Sequence, residues 1–261
     1  MNNPSSRRIL VTGAASGLGA ALVARFRDSG DHVLATDRVD AEGIDLVLDI
    51  TSDADWATAV AAVEERWGGL DVLVNNAGVA GGGRVDRCSI EEWQWITDIN
   101  LFGVVRGTRA FVPMLKAQGS GHLVNVASLA GLVHPAGMGS YNAVKAAVVA
   151  FTETCGHELA PHGIRASVVC PSYFRTHLME SMQGTDEVVG NLISGLVERS
   201  QVTADDIAAA VLAGMDAGED VIVPDDAARQ AYFVKWADRP GYDAIMRDQA
   251  GKLAAAGSAA P

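Results

Sequence analysis

The chain has 261 residues, of which 49% are hydrophobic and 20% are charged, and its formal net charge is −12. This composition is typical of one globular domain with a sizeable core, and it excludes disordered, collagen-like and disulfide-scaffold proteins. The acidic excess also argues against binding nucleic acid or an anionic membrane through bulk charge, because a polyanion would meet a surface of the same sign.

Short apolar runs alternate along the chain with longer stretches of helical period. Runs that are apolar at nearly every position predict strands covered on both faces, as in a parallel sheet. We therefore predict an α/β protein with a Rossmann-type doubly wound parallel sheet and helices on both faces. The predicted strands are Ile9–Thr12, His32–Thr36, Leu46–Ile50, Val72–Asn75, His122–Val126, Ala166–Cys170 and Val221–Val223. The predicted helices are Gly17–Ser29, Asp53–Trp67, Ile90–Gln118, Tyr141–Pro161 and Ala204–Ala217.

No linker or repeat divides the chain, so residues 1–261 are predicted to form a single domain. Two segments break the alternation. Residues 173–200 are predicted to be a lid over a substrate site. Residues 225–261 form a C-terminal extension that carries several aromatic residues, and we expect it to contact the cleft or a second subunit. The competing interpretation is a tail folded onto its own domain.

Other features of the sequence bear on compartment and assembly. The three cysteines are spaced for neither a disulfide framework nor a metal pair, which predicts a reduced, cytoplasmic protein. The apolar stretches are too short to cross a membrane, and the six histidines lack the spacings of a metal site, so no metal is predicted. The long helices are rich in Ala and Val, which predicts a homo-oligomer, either a tetramer or a dimer.

A glycine-rich loop, TGAASGLG from Thr12 to Gly19, follows the first predicted strand and opens the first predicted helix. Glycines at Gly13, Gly17 and Gly19 allow the backbone to turn sharply and to approach a pyrophosphate at the start of a helix. Asp37 ends the next predicted strand, 18 residues after Gly19. That spacing is close to the roughly 20 residues expected for a carboxylate that binds the adenosine ribose. Together these features predict a dinucleotide site.

Asp37 also bears on the choice of dinucleotide. A carboxylate accepts hydrogen bonds from the 2′-hydroxyl of NAD but repels the 2′-phosphate of NADP. Arg38, the next residue, favours the phosphate instead. We predict NAD as the cofactor, with NADP the less favoured alternative.

Three polar side chains are spaced to meet at the end of a strand. Ser128 follows the strand His122–Val126, and Tyr141 and Lys145 share one helix face. A free tyrosine has a pKa of about 10, so a useful base near neutrality needs about 4 kcal/mol of stabilisation. An ammonium about 4 Å away supplies about that much at an effective dielectric of about 20. Lys145 alone is therefore predicted nearly to suffice, and Ser128 to donate a hydrogen bond to a developing oxyanion.

This trio, with Asn75–Gly78 (NNAG), Asn100 and the glycine-rich loop, resembles the short-chain dehydrogenase/reductase family, in its single-domain branch. The resemblance runs from about Arg7 to Thr176. It implies that residues 1–261 are one NAD(P)-binding domain. It also implies the catalytic roles: Tyr141 as acid/base, Lys145 as its electrostatic partner and a ligand of the nicotinamide ribose, Ser128 as the carbonyl orienter, and Asn100 as the anchor of a water chain that relays the proton.

The same resemblance implies the dinucleotide contacts. These are Gly13, Ser16, Gly17, Leu18, Gly19, Asp37, Arg38, Asp49, Ile50, Asn76, Ala77, Gly78, Tyr141, Lys145, Pro171 and Thr176. The chain departs from the family at Ser172, where members usually carry glycine, and serine tolerates positive φ less readily than glycine does.

The candidate substrate contacts are Ser128, His134, Met138, Tyr141, Tyr173 and Met179. The resemblance also places apolar residues around the substrate cleft, which indicates a substrate with hydrophobic bulk; these are Met138, Tyr173, Leu178, Met179 and Met182. The sequence therefore predicts an oxidoreductase that transfers hydride between NAD and a secondary alcohol or ketone while Tyr141 moves the proton. The alternatives are an NADPH-dependent 3-oxoacyl thioester reductase and a non-catalytic dinucleotide-binding regulator, which the presence of all three polar side chains disfavours.

Overall fold

The computed structural model describes residues 6–176, 178, 181–184 and 186–258. Within these residues, seven parallel strands form one sheet in the order β3-β2-β1-β4-β5-β6-β7. The strands are β1 (Arg8–Thr12), β2 (His32–Asp37), β3 (Leu46–Val47), β4 (Val72–Asn75), β5 (Gly121–Val126), β6 (Ile164–Val169) and β7 (Val221–Ile222). The predicted fold class is confirmed. Because the strand order reverses between β1 and β4, a crevice opens there at the carboxyl ends of the strands.

The helices cover both faces of the sheet. They are α1 (Gly17–Asp28), α2 (Asp53–Trp67), α3 (Ile90–Thr97), α4 (Gly103–Gln118), α5 (Ala130–Val133), α6 (Gly139–Leu159), α7 (Glu187–Arg199), α8 (Ala204–Ala217), α9 (Asp226–Ala237) and α10 (Arg239–Ser258). On one face, Phe26 of α1 and Val211 of α8 are buried in one core cluster. On the other, Trp56 of α2, Phe111 of α4 and Leu159 of α6 share a second cluster. No helix in the described ranges has both the length and the apolar character required to cross a bilayer.

Two predicted elements are wrong in extent. The strand predicted over Leu46–Ile50 pairs with β2 only through Leu46 and Val47. The single helix predicted over Ile90–Gln118 is interrupted by a turn of π-helix at Asp98–Phe102. This turn adds a residue to the helical repeat and changes the direction in which Asn100 points, so a uniform period of 3.6 residues could not predict it.

The two irregular segments contain helices that the sequence pattern did not predict. The predicted lid contains α7, and the C-terminal extension contains α9 and α10. Helix α9 packs against α5, and α10 packs against α7 and α9. The extension therefore packs on its own chain, and α10 also lines the crevice at the carboxyl ends of the strands, as one of the two expected contacts requires. Its role in subunit contact stays a prediction.

Candidate active site

A cleft of about 1150 Å³ opens at the carboxyl ends of the strands. This volume exceeds the roughly 300–1,000 Å³ typical of pockets for small-molecule ligands. Loops that follow β1, β2, β4, β5 and β6 line it, and α7 and α10 contribute apolar side chains. The cleft has room for more than one drug-sized molecule.

The loop between β1 and α1 approaches its neighbours too closely for side chains. Gly13 has a φ of +67°, and a Cβ there would lie 2.8 Å from the Cα of Ala77. Gly17 has a φ of +53°, and its Cβ would lie 2.8 Å from Oγ1 of Thr176. A Cβ on Gly19 would meet the carbonyl oxygen of Gly13 at 2.0 Å, so the third glycine serves close packing and does not line the cleft.

The start of α1 offers a site for an anion. Ser16, at the N-cap, makes no side-chain capping bond, and the first turn contains no acidic residue. The first N–H groups of a helix lack intrahelical partners and attract negative charge. Since Gly13, Ser16, Gly17 and Leu18 all line the cleft, these residues fit the pyrophosphate of a dinucleotide.

Asp37 is fixed at the end of β2. Its Oδ2 accepts a hydrogen bond from the Ala15 N–H at 3.0 Å, and its Oδ1 accepts one from the Val39 N–H at 3.2 Å. Arg38 beside it is exposed. Both residues line the cleft. The remaining predicted contacts that line it are Asp49, Ile50, Asn76, Ala77, Gly78, Pro171 and Thr176.

Three of the four predicted catalytic side chains, Ser128, Tyr141 and Lys145, meet on one wall of the cleft. Tyr141 and Lys145 project from α6 and are only 8% and 5% exposed. Ser128, two residues beyond the end of β5, lies beside Tyr141 and acts to lower the pKa of its hydroxyl. The Lys145 Nζ lies 5.7 Å from the centroid of the Tyr141 ring and donates to the Val126 carbonyl oxygen at 3.1 Å. Together, the three side chains can accept a proton from one oxygen atom of a small ligand and donate a hydrogen bond to the same atom.

Burial dominates the pKa values of this pair. It raises the pKa of Tyr141 to about 12, against the lowering effect of the Ser128 hydrogen bond. It lowers the pKa of Lys145 to about 8. The prediction that Lys145 nearly suffices to make Tyr141 a base is therefore wrong for the protein without a bound cofactor. Removal from water destabilises both the Tyr141 phenolate and the Lys145 ammonium. A further positive charge in the cleft would favour the phenolate.

Asn100 lies behind the cleft wall and does not line it. Its Oδ1 accepts from the Val79 N–H at 2.8 Å, and its Nδ2 donates to the Val79 carbonyl oxygen at 2.9 Å. A Cβ on Gly78 would lie 2.8 Å from Asn100 Oδ1 and 3.7 Å from Lys145 Nζ. Asn100 thus lies next to Lys145 and fixes the loop after β4 through its two hydrogen bonds to Val79. Its role in a water chain stays a prediction.

The predicted substrate contacts divide into three groups. Met138 and Tyr173 line the cleft with Ser128 and Tyr141, and the Tyr173 hydroxyl donates to the Met138 Sδ at 3.7 Å. His134 does not line it, although Val133 and Pro135 do: the ring is bound to the Gly131 carbonyl oxygen and to Lys235, and a substrate contact of His134 stays a prediction. Met179 lies outside the described residues.

The departure at Ser172 has no effect on backbone strain. Within the described part of the chain, the one non-glycine residue with positive φ is His134, at +58°. Ser172 therefore does not require the left-handed conformation that glycine would have favoured.

Much of the outer wall of the cleft was not predicted from the sequence. It consists of side chains on α7 and α10, among them Val189, Ile193, Met246 and Leu253. The spacing of Val189, Ile193 and Val197 at every fourth residue is the signal that would have identified α7.

An ion pair fixes this wall to the loop after β4. Arg84 Nε lies 2.7 Å from Oδ2 of Asp186, whose side chain is almost fully buried at the start of α7. The Arg84 hydrogen bonds lower the pKa of Asp186 and keep it ionised. Arg84 Nη1 also donates to the Leu253 carbonyl oxygen at 3.5 Å. One guanidinium thus ties the predicted lid and α10 to the loop.

Comparison with known proteins yields one family model, described as short chain dehydrogenase, which matches residues 7–187. A curated relative, 2-(R)-hydroxypropyl-CoM dehydrogenase from Xanthobacter autotrophicus, is 35% identical over 233 residues, which cover 81% of this chain and 93% of the relative. Another, 3-alpha-(or 20-beta)-hydroxysteroid dehydrogenase from Mycobacterium bovis, is 36% identical over 66% of this chain and 70% of its own length.

Solved structures agree with the curated relatives. A short chain dehydrogenase/reductase from Burkholderia phymatum in complex with NAD has a TM-score of 0.83 and 28% sequence identity. The match covers 91% of this chain and 95% of that one. The likeness therefore extends beyond the residues that the family model matches.

Proposed function

The chain belongs to the short-chain dehydrogenase/reductase family and is an oxidoreductase that acts on CH–OH groups with a nicotinamide dinucleotide, and on this basis we propose that it oxidises secondary alcohols with hydrophobic bulk, using NAD. The observation that carries the proposal is the meeting of Ser128, Tyr141 and Lys145 in a cleft whose outer wall is aliphatic.

Each of the three side chains has a separate role at the substrate oxygen. The dinucleotide, when bound, supplies the hydride acceptor and, in its oxidised form, a positive charge. Tyr141 takes the hydroxyl proton of the alcohol as a phenolate, Lys145 stabilises that phenolate, and Ser128 donates a hydrogen bond to the alkoxide-like oxygen. Tyr141 and Lys145 are buried and Ser128 is half-buried, which limits the access of water and strengthens these interactions.

The preference for NAD rests on Asp37. Its carboxylate is held toward the cleft by two backbone N–H groups. It can still accept hydrogen bonds from a ribose diol, because a carboxylate has about four acceptor positions. A 2′-phosphate would meet the same negative charge. The preference for NAD in turn favours alcohol oxidation, on the expectation that the cytoplasmic NAD pool is mainly oxidised.

The preference for hydrophobic bulk rests on the wall opposite the trio. Tyr141 itself belongs to an apolar cluster with Met138, Val189, Ile193 and Leu253. A polar or charged substrate body in that part of the cleft would lose water without gaining hydrogen-bond partners. A neutral ring system or branched chain would instead gain burial against aliphatic side chains.

A panel of secondary alcohols tests the proposal. Short open-chain, cyclic, aromatic and dihydrodiol types are assayed in parallel with NAD and NADP by the absorbance of the reduced cofactor. We expect cyclic and polycyclic alcohols with NAD to exceed short open-chain ones in kcat/KM by about tenfold or more. No turnover of any alcohol would contradict the proposal. Faster turnover of 3-oxoacyl thioesters with NADPH would favour the reductase alternative, which the hydroxy-group dehydrogenases among the relatives do not favour.

Leu253 is expected to limit the size of the substrate. Its side chain is buried beside Gly137, in the loop that leads to Tyr141. Leu253→Ala should raise the ratio of kcat/KM for bulky over small alcohols by about tenfold, and Leu253→Phe should lower it. Ile245→Ala is the matched control, because this residue of α10 is half exposed and does not line the cleft. The same size profile in both Leu253 variants and the wild type would contradict the assignment.

Residence in the cytoplasm and assembly into a homo-oligomer also remain our proposals. The three cysteines are free, which suits a reducing compartment. Large apolar side chains are exposed at Ile90 in α3 and at Phe102 before α4, on part of the surface predicted to be an interface.

A further inference from the structure

Helix α5 connects the catalytic serine to the C-terminal extension. It has four residues and begins two residues after Ser128. The Ser128 hydroxyl oxygen accepts a hydrogen bond from the Ala130 N–H at 3.1 Å, and the Ser128 carbonyl oxygen accepts one from the Gly131 N–H at 2.9 Å. The position of α5 therefore fixes both the backbone and the hydroxyl of Ser128.

A helix this short cannot satisfy its own last carbonyl groups, which need partners from elsewhere. The Ala130 carbonyl accepts from the His134 N–H at 3.2 Å, and the Gly131 carbonyl from the His134 ring at 3.1 Å. The Leu132 carbonyl accepts from Lys235 Nζ of α9, and the Val133 carbonyl from the Tyr242 hydroxyl of α10. Two of the four partners thus come from the C-terminal extension. Three side chains, those of His134, Lys235 and Tyr242, together hold the end of α5.

Lys235 and His134 form a consistent pair. Lys235 Nζ lies 2.8 Å from Nδ1 of His134. An imidazole that donates from Nε2 to Gly131 has a lone pair on Nδ1 to accept from the ammonium. Burial and the nearby Lys235 charge lower the pKa of His134, which keeps the ring neutral.

The opposite side of α5 rests on the catalytic helix. A Cβ on Gly131 would lie 2.7 Å from the carbonyl carbon and oxygen of Lys145. Backbone therefore packs against backbone there, and α5 lies between α6 and the extension. If the extension loses its hold, α5 is free to move away from α6, and Ser128 moves with it.

We propose that Lys235 and Tyr242 are positioning residues, which hold α5, and through it the Ser128 hydroxyl, in place for the reaction. This inference rests on the proposed role of Ser128. On this inference, the C-terminal extension sets the geometry of the active site and does not only stabilise the fold.

The first test removes one hydroxyl. Tyr242→Phe should lower kcat for the best alcohol of the panel by about tenfold, while the KM for NAD changes less than about twofold. Tyr232→Phe removes a hydroxyl from the neighbouring helix α9 and is expected to keep the wild-type kcat. Lys235→Met should lower kcat to a similar degree, and Lys235→Arg, which keeps a cationic donor, should restore most of it.

A double-mutant cycle shows whether the effect passes through Ser128. In a Ser128→Ala background, Tyr242→Phe should lower kcat less than about twofold, because the group it positions is already absent. A full additional tenfold loss in that background, or an unchanged kcat for both Tyr242→Phe and Lys235→Met in the wild type, would overturn the inference. Wild-type kcat in Ser128→Ala itself would instead show that the proposed role of Ser128 is wrong.

Discussion

Replacement of Tyr141 by phenylalanine is expected to lower kcat for alcohol oxidation by about 10³-fold, within the range of about 10² to 10⁴ that general acid–base groups contribute. The substitution removes only the hydroxyl, and the ring keeps its place in the apolar cluster with Met138 and Val189. NAD binding, measured by fluorescence titration, should change less than about threefold. Steady-state kinetics with NAD and the best alcohol measures the loss.

Tyr173 provides the comparison that makes this result specific. Tyr173 also lines the cleft, burial raises its pKa, and its hydroxyl donates to a weak acceptor, the Met138 sulfur. Tyr173→Phe should lower kcat less than about tenfold, because burial raises the pKa of this hydroxyl and nothing in the described ranges is found to lower it. Wild-type turnover by Tyr141→Phe, or a larger loss in Tyr173→Phe, would remove Tyr141 from the mechanism.

Replacement of Asp37 by alanine is expected to reduce the ratio of kcat/KM with NAD to that with NADP by about 10²-fold. The change removes a charged acceptor for a ribose hydroxyl, worth about 1.5–3 kcal/mol. It also removes repulsion of a 2′-phosphate, which is reduced by solvent because Asp37 is only partly buried. Kinetics with both dinucleotides at a fixed alcohol concentration measures the ratio.

Two further variants separate charge from geometry. Asp37→Asn removes the charge and keeps an acceptor oxygen for one of the two N–H groups, that of Ala15 or that of Val39, so it should account for most of the change. Asp40→Ala removes an exposed carboxylate that does not line the cleft and should leave the ratio as it is. An unchanged ratio in both Asp37 variants would refute the argument from charge.

The strands and the phosphate loop were predictable because local patterns specify them. Runs such as Val72–Asn75 are buried at every position, as their continuous apolar character indicated. Helix α2 begins at Asp53 and ends at Trp67, as predicted, since Ser52 caps its start and Gly68 ends it in a left-handed conformation. The helices α9 and α10 were not predicted, because their exposed surfaces weaken the apolar period on which such predictions depend.

The position of Tyr141 beside Ser128 followed from spacing, but the chemistry of the pair did not. Spacing gives no measure of how much water surrounds a side chain. Only the packed structure shows that Tyr141 and Lys145 are both almost fully buried, so that desolvation is the largest influence on the pKa of each. His134 is a similar case, since its ring is held by Gly131 and Lys235, and Lys235 follows it by 101 residues.

The amino-acid sequence by itself determined the parallel sheet, the glycine loop, the acid at Asp37 and the order of the catalytic side chains, because each is marked by a local pattern: an apolar run, a glycine spacing, the end of a strand or a shared helix face. The tertiary structure alone decided that α7 and α10 close the cleft, that Arg84 and Asp186 fasten them, and that Lys235 and Tyr242 hold α5. Those contacts join segments about 100 residues or more apart, and long-range packing of this kind leaves no periodic trace in the chain.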